Sequence, residues 1–301
     1  MLLAPLLLAV PLALQEEATP PEAFTLRFAW PSPGSVHVSE KTRKDGGAST
    51  IAYRLDWAPE AEGDAQLFTY REIELLELNG IDVKATENPI LQQAVRQIQP
   101  SLQAMPGMRI GAAGELVEFV GLEEMVDKVV QMLRERQGDA FDEEIARRMR
   151  TPESQSLLVN GVAKRWYAWV GQLASVETFA GDEWLGEFAV PGIHPEETVA
   201  ADFSFHCVER FEHEGADCVR IETQTVFDED ELRAATIAVL QSQGSAVDVE
   251  EFEAAVFSRV DRLEGIWELE TLRPHCVKTS EEIRTGSEER SEQHEYTFAW
   301  Q

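Results

Sequence analysis

The sequence predicts an α+β fold: one large curved antiparallel β-sheet, half-barrel-like, wrapping several α-helices. Three observations carry the prediction. Apolar and polar residues alternate with a period of two in segments near both ends of the chain, the pattern of strands with one buried face. Glycine-containing turns join these segments at hairpin spacing. Between them lie stretches whose apolar residues recur every three or four positions, the stripe of an amphipathic helix. Runs of strands interrupted by runs of helices favour an antiparallel sheet with its helices gathered on the concave face.

Residues 1–15 read MLLAPLLLAVPLALQ. This uncharged run is shorter than the roughly 20 residues a spanning helix needs. It reads as a secretory signal peptide, although the first basic residue is Arg27. No cysteine directly follows it, so a lipid anchor at that point is not expected. A flexible leader, 16–23, then precedes a single α+β domain, 24–301. No other apolar run is long enough to span a membrane.

In Phe24, Leu26, Phe28 and Trp30 the apolar residues alternate as in a strand, which Pro31, Pro33 and Gly34 end. A second strand covers 36–42, and Lys44-Asp45-Gly46-Gly47 turns it into a third holding Ile51, Tyr53, Leu55 and Trp57. A fourth covers 66–78. Asn88 as N-cap and Pro89 at the first helical position open a helix over 88–103. Residues 108–110 and 115–120 form a hairpin. Leu122, Met125, Val126, Val129, Val130 and Leu133 stripe a second helix. Thr151-Pro152 opens a third that carries Trp166, Trp169, Val170 and Leu173.

Strands resume at Trp184. A hairpin follows, 202–210 with 216–227; then Asp228 caps a helix with Glu231 three residues on. Asp248 starts a shorter helix. Three last strands span 263–271, 277–285 and 293–300. The segment 25–30 echoes 296–300. Either the halves 24–176 and 182–301 are a degenerate repeat, or two strands obey one alternation; the plainer reading is the second.

Charge narrows the partners. Lys plus Arg number 26 and Asp plus Glu 55, a formal net charge of −29. That field repels nucleic-acid phosphates and anionic lipid, and it favours a soluble monomer. The local basic groups Arg147, Arg148, Arg150, Lys164 and Arg165 read as solvated helix faces.

The side chains that could carry chemistry do not form a motif. His206-Cys207, His213, Cys218 and His275-Cys276 suggest zinc, but neighbours on a strand face opposite ways and no metal-ligand spacing occurs. A three-residue loop, 213–215, places Cys207 opposite Ile221, as a small buried residue, and Cys218 opposite Arg210. A Cys207–Cys218 bridge is then disfavoured, and Cys218–Cys276 stays open. The acidic run 228–231 reads as helix capping, and Glu281-Glu282 and Glu288-Glu289 as solvated turn flanks. Gly107, Gly111 and Gly114 read as a hairpin rather than a phosphate loop. No catalytic, cofactor-binding or metal residue is assigned, no cofactor is implied, and the lining of any ligand cavity is left unassigned.

The leader, the early strand series, the helix over 88–103, the pair carrying Gly114-Glu115-Leu116-Val117, the helical middle ending near Trp166 and the Gly181-Asp182-x-Trp184 strand resemble a family of secreted bacterial proteins of uncharacterised function. The resemblance covers most of 35–300. It implies a fold similar to the periplasmic lipoprotein-carrier half-barrel and no catalytic residues. The expectation is an exported, periplasmic or extracellular, non-catalytic binding or carrier protein for an apolar ligand or lipid. The alternative is a structural or protein-interaction module of the bacterial cell envelope. A carrier calls for an apolar cavity of a few hundred Å³; an interaction module calls for an exposed apolar patch or an open sheet edge.

Overall fold

The computed structural model describes residues 22–61, 63–191, 198–242, 252 and 255–300. In chain order the elements are β1 (Phe24–Thr25), β2 (Gly34–Lys44), β3 (Gly47–Pro59), β4 (Gln66–Leu78), β5 (Ile81–Asp82), α1 (Pro89–Leu102), β6 (Gly107–Ile110), β7 (Leu116–Val120), α2 (Leu122–Gln137), α3 (Glu143–Met149), α4 (Pro152–Trp166), β8 (Glu177–Thr178), β9 (Glu183–Pro191), β10 (Thr198–His213), β11 (Ala216–Phe227), α5 (Glu229–Ser242), β12 (Phe257–Glu268), β13 (Pro274–Thr285) and β14 (Glu288–Trp300). The fold is α+β and dominated by one 12-stranded antiparallel sheet that does not close, in the order β7-β6-β4-β3-β2-β14-β13-β12-β11-β10-β9, with β5 beside β4. The last strand, β14, lies in the middle, between β2 and β13.

The alternation seen in the sequence sets the two faces. Val36, Val38, Tyr53, Leu55, Trp57, Phe68, Phe205, Ile221, Val277, Tyr296 and Phe298 share the buried face. A π-helical turn that continues α4, Tyr167–Gly171, packs against them. Its Trp169 meets Tyr296 and Phe298 edge-on. The segment 26–30 completes the filling. Trp30 touches Trp57, Phe68, Trp166 and Trp300 with ring centroids 4.9–5.6 Å apart, spacings typical of favourable aromatic pairs. The buried indoles also find acceptors: Trp166 Nε1 donates to Gly114 O at 2.8 Å and Trp267 Nε1 to Trp169 O at 2.8 Å.

The helices start where their sequences dictate. Asn88 Oδ1 accepts from Ile90 N at 3.0 Å, Thr151 Oγ1 from Ser154 N at 3.3 Å and Asp228 Oδ1 from Glu231 N at 2.9 Å. Their distribution is uneven. Met125, Val126, Val130, Ala146 and Val159 of α2, α3 and α4 form a satellite core, and Leu232 of α5 packs with Val199, Ala201 and Phe227 at another end. The end of α4 and its π turn serve the main core.

Three expectations change in detail. Only Phe24–Thr25 of the predicted first strand pairs, with β8. Residues 26–30 leave the sheet because Leu26 bonds Val176 and Ser175, and Ala29 bonds Thr271, which threads Leu26, Phe28 and Trp30 through the core. β12 begins at Phe257, six residues before the predicted start at 263. The β10–β11 loop has two residues, pairing His213 with Ala216 and Cys218 with Phe211; a bulge between Cys207 and Glu209 then restores Cys207 opposite Ile221. Cys207 and Cys218 are fully buried, Cys276 is half-buried, and all three thiols are free. Of the helix predicted from Asp248, Phe252 is helical, Ala255 and Val256 are not, and the rest lies outside the described residues, as does the segment 1–21.

Candidate functional site

The outer face of the sheet carries an open trough of about 690 Å³. Its lining follows from strand register. Glu183 faces His206, His206 faces Glu222, Glu222 faces Glu264, Glu264 faces Lys278, Lys278 faces Glu295, and Glu295 faces Lys41. A parallel row two residues away runs Ser204, Gln224, Arg262, Ser280, Gln293, Arg43. All of these side chains line the trough. Charge is unevenly distributed along it: Glu183, Glu222 and Glu264 stand towards β9, with Arg262 beside them, and Lys278, Lys41 and Arg43 stand towards β2, with Glu295 between the two lysines.

Most of these charges make no close ion pair. Elsewhere Arg54, Arg109, Arg210, Arg259 and Arg273 are each tied to carboxylates. In the trough Arg262 pairs with Glu282 at 2.8 Å, whereas Lys41, Arg43, Lys278, Glu183, Glu222, Glu264 and Glu295 make no ion pair among the described residues. Glu222 directly opposite Glu264 is a like-charge cross-strand pair, which works against sheet stability.

A second cluster lies on the buried face. Arg165, at the end of α4, reaches Glu40 with Nη2 3.1 Å from Oε1 and 3.0 Å from Oε2. Glu40 is 2% exposed. His294 Nδ1 stands 3.2 Å from its Oε1, and His294 Nε2 is 2.7 Å from Glu292. Burial pushes the Glu40 carboxyl up, but Arg165 and His294 together outweigh it and hold it below the usual carboxylate value. Tyr53, Tyr70 and Tyr296 surround the guanidinium, and burial raises all three phenols. The hydroxyl of Tyr53 and the Nε and Nη1 of Arg165 are buried without a hydrogen-bond partner. This cluster pins helix to sheet.

A third group sits at one end of the sheet, where the β10–β11 turn meets β13. His213, Glu214 and His275 each bring a ligand atom within 4.8 Å of the others. His275 is buried, and burial lowers its pKa despite the nearby Glu268. Glu268 is held by Arg273 Nε and Nη2, both at 2.7 Å, and by Thr271 Oγ1 at 2.6 Å.

No family model matches the chain, and no curated protein matches it.

The residues weighed in the sequence divide clearly. Arg147 and Arg148 pair with Glu144, and Arg150 with Asp127, on exposed surfaces. Arg165, from the same set of basic residues, is the buried exception. Its signal was its place on the apolar stripe, three residues after Val162 and four before Trp169; Glu40 likewise continues the buried parity of Val36 and Val38. In the acidic run, Asp228 caps α5, Glu229 accepts from Phe257 N at 3.0 Å, Asp230 pairs with Arg233 at 2.6 Å, and Glu231 accepts from Ala200 N at 2.6 Å. No cation is needed to explain it. Glu281 is half-buried, between Lys164 and Arg259, rather than solvated. His206 and Cys207 do face opposite ways, one into the trough and one into the core. No described helix is long and apolar enough to cross a membrane.

Proposed function

We propose that this is an exported, non-catalytic binding protein whose recognition surface is the polar trough, and that its ligand is a charge-bearing polypeptide segment. The observation that carries the reading is the row of charged side chains across seven strands, mostly acidic towards β9 and mostly basic towards β2, of which all but Arg262 make no ion pair among the described residues. Six inter-strand steps of about 4.8 Å make the row roughly 29 Å long, which an extended peptide of about nine residues would span. A segment with cationic residues at one end and anionic residues at the other would relieve the Glu222–Glu264 repulsion and meet Lys278, Lys41 and Arg43.

The same reading takes the sheet as a half-barrel of the lipoprotein-carrier kind and residues 1–15 as a cleaved export signal. It departs from an apolar-ligand carrier in the face used. The apolar face is filled by Trp30, Trp166, Trp169 and Trp267, all at 3% exposure or less, so a lipid would have to displace the protein's own indoles. The trough has the volume of a ligand site but polar walls.

The test is titration of the full mature chain with synthetic nonapeptides carrying a Lys block and a Glu block, against neutral peptides of equal length. Block-charged peptide should bind, and K41Q/R43Q/K278Q should weaken it at least tenfold. Equal affinity in that variant, or no binding by either block order, overturns the reading. For export, N-terminal mass spectrometry of protein from its natural host should find cleavage near residue 15; an intact cytoplasmic chain would refute it.

One observation favours a second reading, a protein-interaction module of the envelope. Leu185 and Phe188 are 77% and 47% exposed on β9, and among the described residues no strand pairs with that strand's outer side. Such an edge accepts an added strand from a partner.

A further inference from the structure

Two histidines distant in sequence meet where the β10–β11 hairpin turns. His213 ends β10, and Glu214 and Gly215 make the turn with φ of +52° and +83°. His275 is the extra residue where the β12–β13 register shifts between Ile266 and Trp267. A bulge of this kind re-aims a side chain. The two imidazoles are 4.9 Å apart and perpendicular.

The two nitrogens of His275 have different surroundings. Nδ1 stands 3.6 Å from Glu214 Oε2, in the group formed with His213. Nε2 stands 3.5 Å from Glu268 Oε1, too far for a hydrogen bond, and is buried with no partner. His275 itself is 8% exposed. Glu268 cannot swing freely, because Arg273 grips both its oxygens and Thr271 holds one. Metal-binding histidines commonly have this environment: one ring nitrogen free for the ion, the other directed at a fixed carboxylate that sets the tautomer.

We propose that His213, Glu214 and His275 bind a divalent transition-metal ion, zinc by preference, with His275 ligating through Nδ1 and directing its Nε2–H at Glu268. Two imidazoles and one carboxylate suit zinc rather than calcium or magnesium, which take oxygen ligands. Tetrahedral bonds of about 2.0–2.1 Å place ligand atoms roughly 3.3 Å apart, so the group must tighten. Glu214 is 74% exposed and His213 half-buried, so both can move onto the fixed His275. The fourth position is open to water.

The sequence gives no ligand spacing because the set joins a hairpin turn to a bulge some 60 residues away; only the fold brings them together.

The test uses the full mature chain stripped with chelator and titrated with Zn²⁺ alone, in excess Ca²⁺ and Mg²⁺ to occupy surface carboxylates. One equivalent should bind, and H213A and E214N should each weaken it at least tenfold. E214N is the stringent variant: asparagine suits a left-handed turn position better than glutamate, so it keeps the fold while removing the ligand. E268Q should weaken binding by about 10- to 100-fold and shift the visible spectrum of bound Co²⁺. The proposal is overturned if no zinc binds, or if H213A and E214N bind the same number of ions with unchanged affinity.

Discussion

Replacing Arg165 by methionine tests what the buried pair does for the fold. Methionine keeps most of the apolar stem and removes the charge. The guanidinium lies 3.0–3.1 Å from both Glu40 oxygens; with charge centres about 4 Å apart and an effective dielectric near 20, the attraction is about 4 kcal/mol. Side-chain exposures of 12% and 2% leave little solvent screening. Removing one partner strands a buried carboxylate, a loss of about 3–5 kcal/mol. The pH dependence has a definite sign. In the wild type Glu40 lies below its ordinary value of 4.5, so its contribution is present above that value and lost as pH falls through the lower folded pKa. In R165M burial dominates and the Glu40 pKa rises. Its contribution is then full below the ordinary value and lost as pH rises through the raised one. The stability gap should therefore be widest at neutral pH and narrow on acidification. Urea denaturation of both proteins at neutral and mildly acidic pH reads it, and E40Q/R165M should recover most of the loss. A gap below about 1 kcal/mol, the size of a surface ion pair, or a gap independent of pH would refute the reasoning.

Other outcomes follow from the same structure. W166A should cost about 3–5 kcal/mol in denaturant titration, because the ring is 1% exposed and touches Phe28, Trp30 and Phe68. G114A should lose at least about 1–2 kcal/mol; Gly114 has φ +89° and an added Cβ would fall 2.8 Å from Val170 Cγ1 and 2.9 Å from Phe28 Cβ. A thiol reagent at mildly alkaline pH should leave Cys207 and Cys218 unmodified until the protein unfolds: both are fully buried, and burial followed by Glu268 pushes the Cys218 thiol up to about 11. Rapid native labelling of both would contradict the packing. D228A should lower stability by about 1 kcal/mol through the loss of its bonds to Asp230 N and Glu231 N.

Local chemistry made most elements legible. Asn88-Pro89, Thr151-Pro152 and Asp228 each mark a helix start that the structure confirms, and the strand expected over about 66–78 matches β4 in extent. What alternation cannot report is the pairing partner. Phe24 to Trp30 has the period of a strand, yet beyond Thr25 its backbone bonds go to residues 175–176 and 271, because a buried extended segment and a sheet strand share one pattern. The bulge at Cys207 was hidden for a similar reason: an inserted residue and a shorter turn cancel in parity. The trough was unreadable because its members are ordinary exposed polar positions, and only cross-strand register aligns them. Arg165 and Glu40 were readable in principle, each being a charge at a position that periodicity assigns to the interior.

The position of β14 has a kinetic consequence. β14 supplies the central plank of the sheet, bridging two meanders that share no other neighbour in it. Until it docks, β2 and β13 both expose raw edges, and Trp169 lacks the Tyr296 and Phe298 rings that enclose it. Pairings between distant parts of a chain form slowly. The folding protein therefore passes through a two-piece, edge-exposed stage that ends only when the thirteen residues of β14 dock, and deleting those residues should leave two unjoined sheets rather than one slightly narrower sheet.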